Sequence, residues 1–154
     1  MTMVLMCAAA HAQIRRPKAV LTPATDAEST PAGTTARATL GVALPPGLHV
    51  QADRPRDPSL IPTTLTLTPP PGVTIAEIVY PQPTDFKLSG SSQSLAVFGE
   101  SFVIGVRFAV APTVPAGDIT VPARLRYQAC DASSCFPPTS ETAQWTLHVV
   151  ARTR

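Results

Sequence analysis

Two cysteines carry the most chemistry in this chain. Residues Tyr127–Pro138 read YQACDASSCFPP, so four residues separate Cys130 from Cys135. Three uses fit such a pair. A structural staple would close a loop of only about six residues, which in the chain-entropy model contributes roughly 2 kcal/mol. It would sit at one hairpin end and could not link distant strands. A metal site would need more donors, since zinc takes about four ligands at recognisable spacing. The chain offers three scattered histidines, and no Met or His cluster flanks the thiols, so no metal or cofactor is expected. A redox-active dithiol needs one accessible sulfur and a second close enough to resolve a mixed disulfide. The small or polar residues between the cysteines, Asp131, Ala132, Ser133 and Ser134, leave such a loop open to a partner. The spacing is not Cys-x-x-Cys, and no helix N-terminus is expected that would acidify a thiol.

The elements that must hold this pair are strands. The chain has 154 residues, enough for one domain with its own core. Eighteen of them are proline, which interrupts helices by removing an N–H and crowding the preceding turn. Helical bundles, coiled coils and doubly wound α/β folds are thereby excluded, while 44% hydrophobic residues argue against disorder throughout. Eight strand-like segments follow one another between Pro- and Gly-rich turns: Ala36–Leu44, Leu48–Gln51, Thr63–Thr68, Val73–Tyr80, Leu95–Phe98, Ser101–Val110, Asp118–Tyr127 and Thr142–Val150. That pattern predicts an all-β fold, a β-sandwich of about eight strands. In the last segment Trp145, Leu147 and Val149 alternate with Gln144, Thr146 and His148, which assigns the first set to the core and His148 to solvent. Cys130 ends a strand and should be held by packing. Phe136, Pro137 and Pro138 lead the chain out of the sheet after Cys135, so Cys135 is the expected exposed sulfur. Asp131 disfavours a thiolate beside it, so no strongly acidic thiol is expected.

Charge excludes one partner class. The formal net charge is +2, charged residues are 14% and aromatics 5%. Apart from Arg15, Arg16 and Lys18 the basic residues are scattered, so the stripe of a nucleic-acid binder is missing. Residues 1–12, MTMVLMCAAAHA, end in Ala10-His11-Ala12 and read as the back half of a secretory signal peptide. Cleavage after Ala12 would remove Cys7 and leave an even pair of cysteines, as suits an oxidising compartment. Residues 13–35, rich in Pro, Ala, Thr and Ser, read as a flexible lead-in, with the domain proper at 36–154.

The segment YQACDASSCFPP resembles the active-site segment of the N-terminal domain of the bacterial thiol:disulfide interchange protein DsbD and its relatives. Further stretches match in order: GLHVQ at Gly47–Gln51, LIPTTLTL at Leu60–Leu67 with the PPPGVTIAEIVYP that follows, and DFKLSG at Asp85–Gly90. The resemblance spans about Ala36 to Val150. It implies an immunoglobulin-like sandwich in the periplasm that receives electrons from a thioredoxin-like donor fed by a membrane protein and passes them to oxidised partners. On this resemblance Cys135 forms mixed disulfides and Cys130 resolves them. Phe86 matches an aromatic that caps the cysteines, with Asp85 beside it. His49 and Gln51 fall where the best-known member has tyrosines near the site, and Tyr127 opens the cysteine motif. Some members have five residues between the cysteines. The sequence given runs to Arg154 without a membrane or thioredoxin domain, so three readings stay open: the electrons come from a separate protein, the sequence is a fragment of a larger one, or the relay has been lost and the fold kept.

The expected function is therefore a periplasmic thiol-disulfide exchange module acting through Cys130 and Cys135. Its expected partners are thioredoxin-fold proteins and a membrane electron-transfer protein, with no nucleic acid, and the chain is expected to be a monomer. The alternative is a non-enzymatic secreted immunoglobulin-like binding domain with a structural hairpin disulfide.

Overall fold

The structure is a computed structural model that describes residues 16–152. The signal-peptide reading of residues 1–12, with Cys7, lies outside the described residues. Within them the chain forms twelve strands and no helix: β1 Val20–Thr25, β2 Thr30–Pro31, β3 Thr35–Ala43, β4 His49–Gln51, β5 Thr64–Leu67, β6 Val73–Val79, β7 Thr84–Lys87, β8 Ser94–Phe98, β9 Ser101–Val110, β10 Gly117–Tyr127, β11 Ala129–Cys130 and β12 Thr139–Val150. They make three four-stranded sheets, ordered β1-β3-β9-β6, β2-β12-β10-β5 and β11-β4-β8-β7.

The first two sheets form the sandwich, consistent with an immunoglobulin-like architecture. Strict alternation along β3, β9, β10 and β12 gives each strand one apolar face, and those faces meet. Trp145 of β12 packs edge-on against Phe108 of β9 with ring centroids 5.6 Å apart. Its indole Nε1 donates to Thr39 O at 2.9 Å and Ala24 O at 3.1 Å, which ties β12 to the backbones of the facing β3 and β1. Around it Leu40, Ile104, Val121, Leu125 and Leu147 are essentially fully buried. In β6 the inward and outward residues do not alternate regularly. A bulge between Ile75 and Glu77 shifts the register against β9, so Ile75 turns outward and Ile78 turns towards the core.

All eight expected strands are present, and four more join them. The segment 13–35 is not a flexible lead-in over its described length. β1 pairs with β3 from Val20↔Ala43 to Thr25↔Ala38, and β2 pairs in parallel with the end of β12. The sandwich therefore starts near Val20 rather than Ala36. β1 accommodates Pro23 because it is an edge strand, where a missing N–H is tolerated.

The third sheet positions the cysteines. Only Gln128 separates β10 from β11, so the long strand of the sandwich runs on into the small sheet. One face of that sheet, Val50, Ala52, Ala96, Phe98 and Ala129, completes the main core. Alternation puts His49, Gln51, Val97 and Cys130 on the other face.

Candidate functional site

Cys130 and Cys135 form a disulfide across a hairpin end, with Cα atoms 4.0 Å apart. The turn between them is fastened by Asp131. Its Oδ1 accepts from the backbone N–H of Ser133 at 2.8 Å and of Ser134 at 2.7 Å, and its own N–H donates to Ser134 O. Those hydrogen bonds hold the Asp131 carboxyl below the usual carboxylate range. Below the turn Phe136 N–H donates to Ala129 O, and the Gln128 side-chain amide donates to Phe136 O. The two sulfurs are thus held in unlike surroundings. Cys130, on β11 against β4, is only 3% exposed. Cys135 is exposed. A nucleophile from outside has access to one sulfur and not the other, the asymmetry that ordered exchange requires.

The layer around Cys130 is built on β4, β7 and β8. His49 lies directly across the ladder from Cys130, and residues so paired present their side chains on one face. The imidazole is buried, and its Nε2 has no hydrogen-bond partner; neither has the Gln51 Oε1 two residues on. Burial holds the His49 pKa below its ordinary value, opposed more weakly by the charge of Asp131. Phe86 closes this layer from β7, its ring centroid 4.1 Å from that of His49. The neighbouring Asp85 is exposed and ion-paired with Arg56 Nη2, while Arg56 Nη1 donates to Ser94 O at 3.0 Å and reaches Ser94 Oγ. The loop after β4 is thereby fastened to both strands of the β7–β8 hairpin.

A family model described as the N-terminal region of thiol:disulfide interchange protein DsbD matches residues 18–147. The chain belongs to that family. Among solved structures it is similar to the N-terminal periplasmic domain of ScsB from Proteus mirabilis, with a TM-score of 0.55 and 13% identity. That match covers 82% of this chain and 45% of the other, so this chain spans under half the length of its structural relative. At that identity the likeness concerns the fold. No curated protein matches.

In this DsbD-type domain most residues singled out from sequence meet at one place. Cys130, Cys135, His49, Gln51 and Phe86 belong to the third sheet and its hairpin, with Asp85 beside them on β7. Phe86 is on β7, a four-residue edge strand paired with β8 that is absent from the eight expected strands because it is too short to show alternation. Tyr127 departs from the expectation of a near-site residue. Its ring belongs to the main core, its hydroxyl accepts from Ala19 N–H at 2.7 Å and donates to Pro17 O, and burial pushes its pKa up. Arg56 and Gln128 were not anticipated. Arg56 lies in a polar loop with no periodicity, and its partners are distant in sequence. Among the described residues no three His, Cys, Asp or Glu side chains converge as a metal set would.

Proposed function

We propose that this domain is a periplasmic thiol-disulfide exchange module that passes electrons from a membrane-linked reductase to oxidised partner proteins through Cys130 and Cys135. The observation that carries this reading is the pairing of an exposed Cys135 with a buried Cys130 in a single hairpin disulfide. In the reduced domain the Cys135 thiolate attacks a partner disulfide, forms the Cys135–partner bond and releases one partner thiolate. Cys130 then attacks Cys135 Sγ, the mixed disulfide breaks, and the second partner sulfur leaves. Two electrons pass to the partner, and two protons accompany them to its thiols. Recharging runs the same steps backwards, with a thioredoxin-fold dithiol attacking Cys135. The family and the A-x-A pattern at Ala10-His11-Ala12 both favour export, and cleavage after Ala12 would remove Cys7 and leave the Cys130–Cys135 pair.

The test is capture. Cys130→Ala should accumulate a mixed disulfide through Cys135 with a thioredoxin-fold protein, and Cys135→Ala should accumulate little. Equal capture by both variants would reverse or abolish the assigned roles. The reduction potential separates this reading from a structural staple, since exchangers of this kind lie at about −270 to −180 mV and structural disulfides below about −300 mV.

A further inference from the structure

The resolving sulfur poses a chemical problem. A thiolate, not a thiol, performs the attack. Cys130 is 3% exposed, so its thiol must ionise where water has little access, beside the carboxylate of Asp131. Both features oppose ionisation. The Asp131 carboxylate is itself occupied by the N–H groups of Ser133 and Ser134. Across the ladder stands a base that is 6% exposed and has a ring nitrogen with no partner while the disulfide is intact. A buried polar atom left unpaired is costly unless another state of the protein pairs it. Reduction creates such a state, because Cys130 then carries an S–H.

We propose that the His49 imidazole is the proton acceptor for Cys130, taking its S–H proton as the thiolate attacks Cys135 Sγ of the mixed disulfide. This rests on the exchange reading above. The step balances: the Cys130 S–H bond breaks and the proton moves to the imidazole, the Cys130–Cys135 bond forms, and the Cys135–partner bond breaks. The partner sulfur leaves with the electron pair, and the imidazolium then releases its proton. In the reverse direction the imidazolium protonates Cys130 as it leaves. Phe86 packs against the ring at a tilt of 34° and limits water at the transfer. The groups around His49 are few. Cys130 and Asp131 come from β11 and its turn, Phe86 from β7, Gln51 from β4 itself and Val97 from β8. Asp85 and Lys87 flank Phe86 and alternate to the opposite face. Asp131 is the one charge acting on His49, and it does not overcome the effect of burial, so the imidazole is neutral and basic at neutral pH.

The reaction of the reduced protein with Ellman's reagent resolves the two steps. Cys135 attack releases a first thionitrobenzoate, and Cys130 resolution releases a second. In the wild type the second phase should be level between about pH 7 and 8 and fall only as the imidazole charges, below its ordinary pKa of about 6.5. His49→Gln should leave the first phase unchanged and slow the second on the order of 10²-fold near pH 7, within the range a positioned base supplies. Its second phase should then climb with pH towards the wild-type rate as Cys130 ionises unaided. A wild-type second phase that rises steadily with pH from 6.5 to about 8.5, as an unassisted thiol would, overturns the proposal whether or not the variant folds. So does a His49→Gln protein with both phases unaltered. Absence of the first phase in the wild type would remove the exchange reading itself, and this proposal with it.

Discussion

The rings of Phe86 and His49 lie 4.1 Å apart, although β8 separates the strands that carry them. His49 is on β4 and Phe86 on β7, opposite Leu95. Both side chains lie on the outer face of the small sheet, together with Gln51 and Val97, which are almost fully buried. His49 is in turn the ladder partner of Cys130, which is buried, while Cys135 is exposed; we propose that Phe86 covers the Cys130 side of the disulfide.

Phe86→Ala should therefore speed reduction of the disulfide by dithiothreitol. The reagent attacks the exposed Cys135, and Cys130 is the leaving group. Opening its surroundings to water lowers the pKa of the departing thiol. A fall of about one unit, at a sensitivity of about 0.5, gives about a threefold faster reaction. Stopped-flow reduction followed by tryptophan fluorescence or by thiol quenching measures it, and equal rates would show that Phe86 is not a cover.

The Arg56–Asp85 pair should hold that cover shut. The pair is partly exposed, so its contribution to global stability is at most about 1 kcal/mol. Its local effect is larger in consequence, because Arg56 ties the loop after β4 to Ser94 on β8 as well as to Asp85 on β7. Asp85→Asn should raise the dithiothreitol rate in the wild-type background and leave it unchanged in the Phe86→Ala background. Additive effects in the double variant would mean that the ion pair acts elsewhere.

Tyr127 separates packing from chemistry. Its hydroxyl is the partner of the Ala19 N–H and the Pro17 carbonyl, where the chain enters β1. Tyr127→Phe leaves that buried N–H unpaired, at a cost of about 1–3 kcal/mol. Urea denaturation should show the loss, while the reduction potential and exchange rates stay as in the wild type. A changed potential with unchanged stability would return Tyr127 to the redox site.

What could be read in advance follows from how each feature is encoded. Strands β9, β10 and β12 are long and alternate strictly, so Phe108, Leu125 and Trp145 announce their faces locally. The unlike exposure of Cys130 and Cys135 is local too, because Pro137 and Pro138 deny the second sulfur a continuing ladder. β1 was hidden by Pro23, which a central strand would not accept and an edge strand does. β7 was hidden by its length, and β11, with two residues, has no period at all. The Phe86–His49 contact and the Arg56 clasp join segments 37 and 29 residues apart in sequence or more loosely related still, and only the order of strands in the third sheet brings them together. Tyr127 misled because it stands next to the motif in sequence, while alternation along β10 turns it into the core.

His49 should also give the oxidised protein a distinctive acid sensitivity. Burial lowers its pKa in the folded state relative to the ordinary value of 6.5 that it keeps when unfolded. Between the two values the unfolded chain binds a proton that the folded chain does not, so stability rises with pH across that window. Stability is then complete above about pH 6.5 and declines as the pH falls towards the folded-state pKa. Asp131 acts in a lower range. Its folded-state pKa is depressed by the Ser133 and Ser134 N–H groups, so the help it gives is present above its unfolded pKa of about 3.9 and lost as the pH falls through the folded value. Denaturation midpoints measured from pH 8 to 5 should therefore decline on acidification in the wild type. His49→Phe, which keeps a ring against Phe86 and removes the titration, should flatten that decline without altering the further loss below about pH 4 that carboxylates cause. A wild-type midpoint that is constant from pH 8 to 5 would mean that the imidazole charges as freely in the fold as in the unfolded chain, and that Phe86 does not keep water from it.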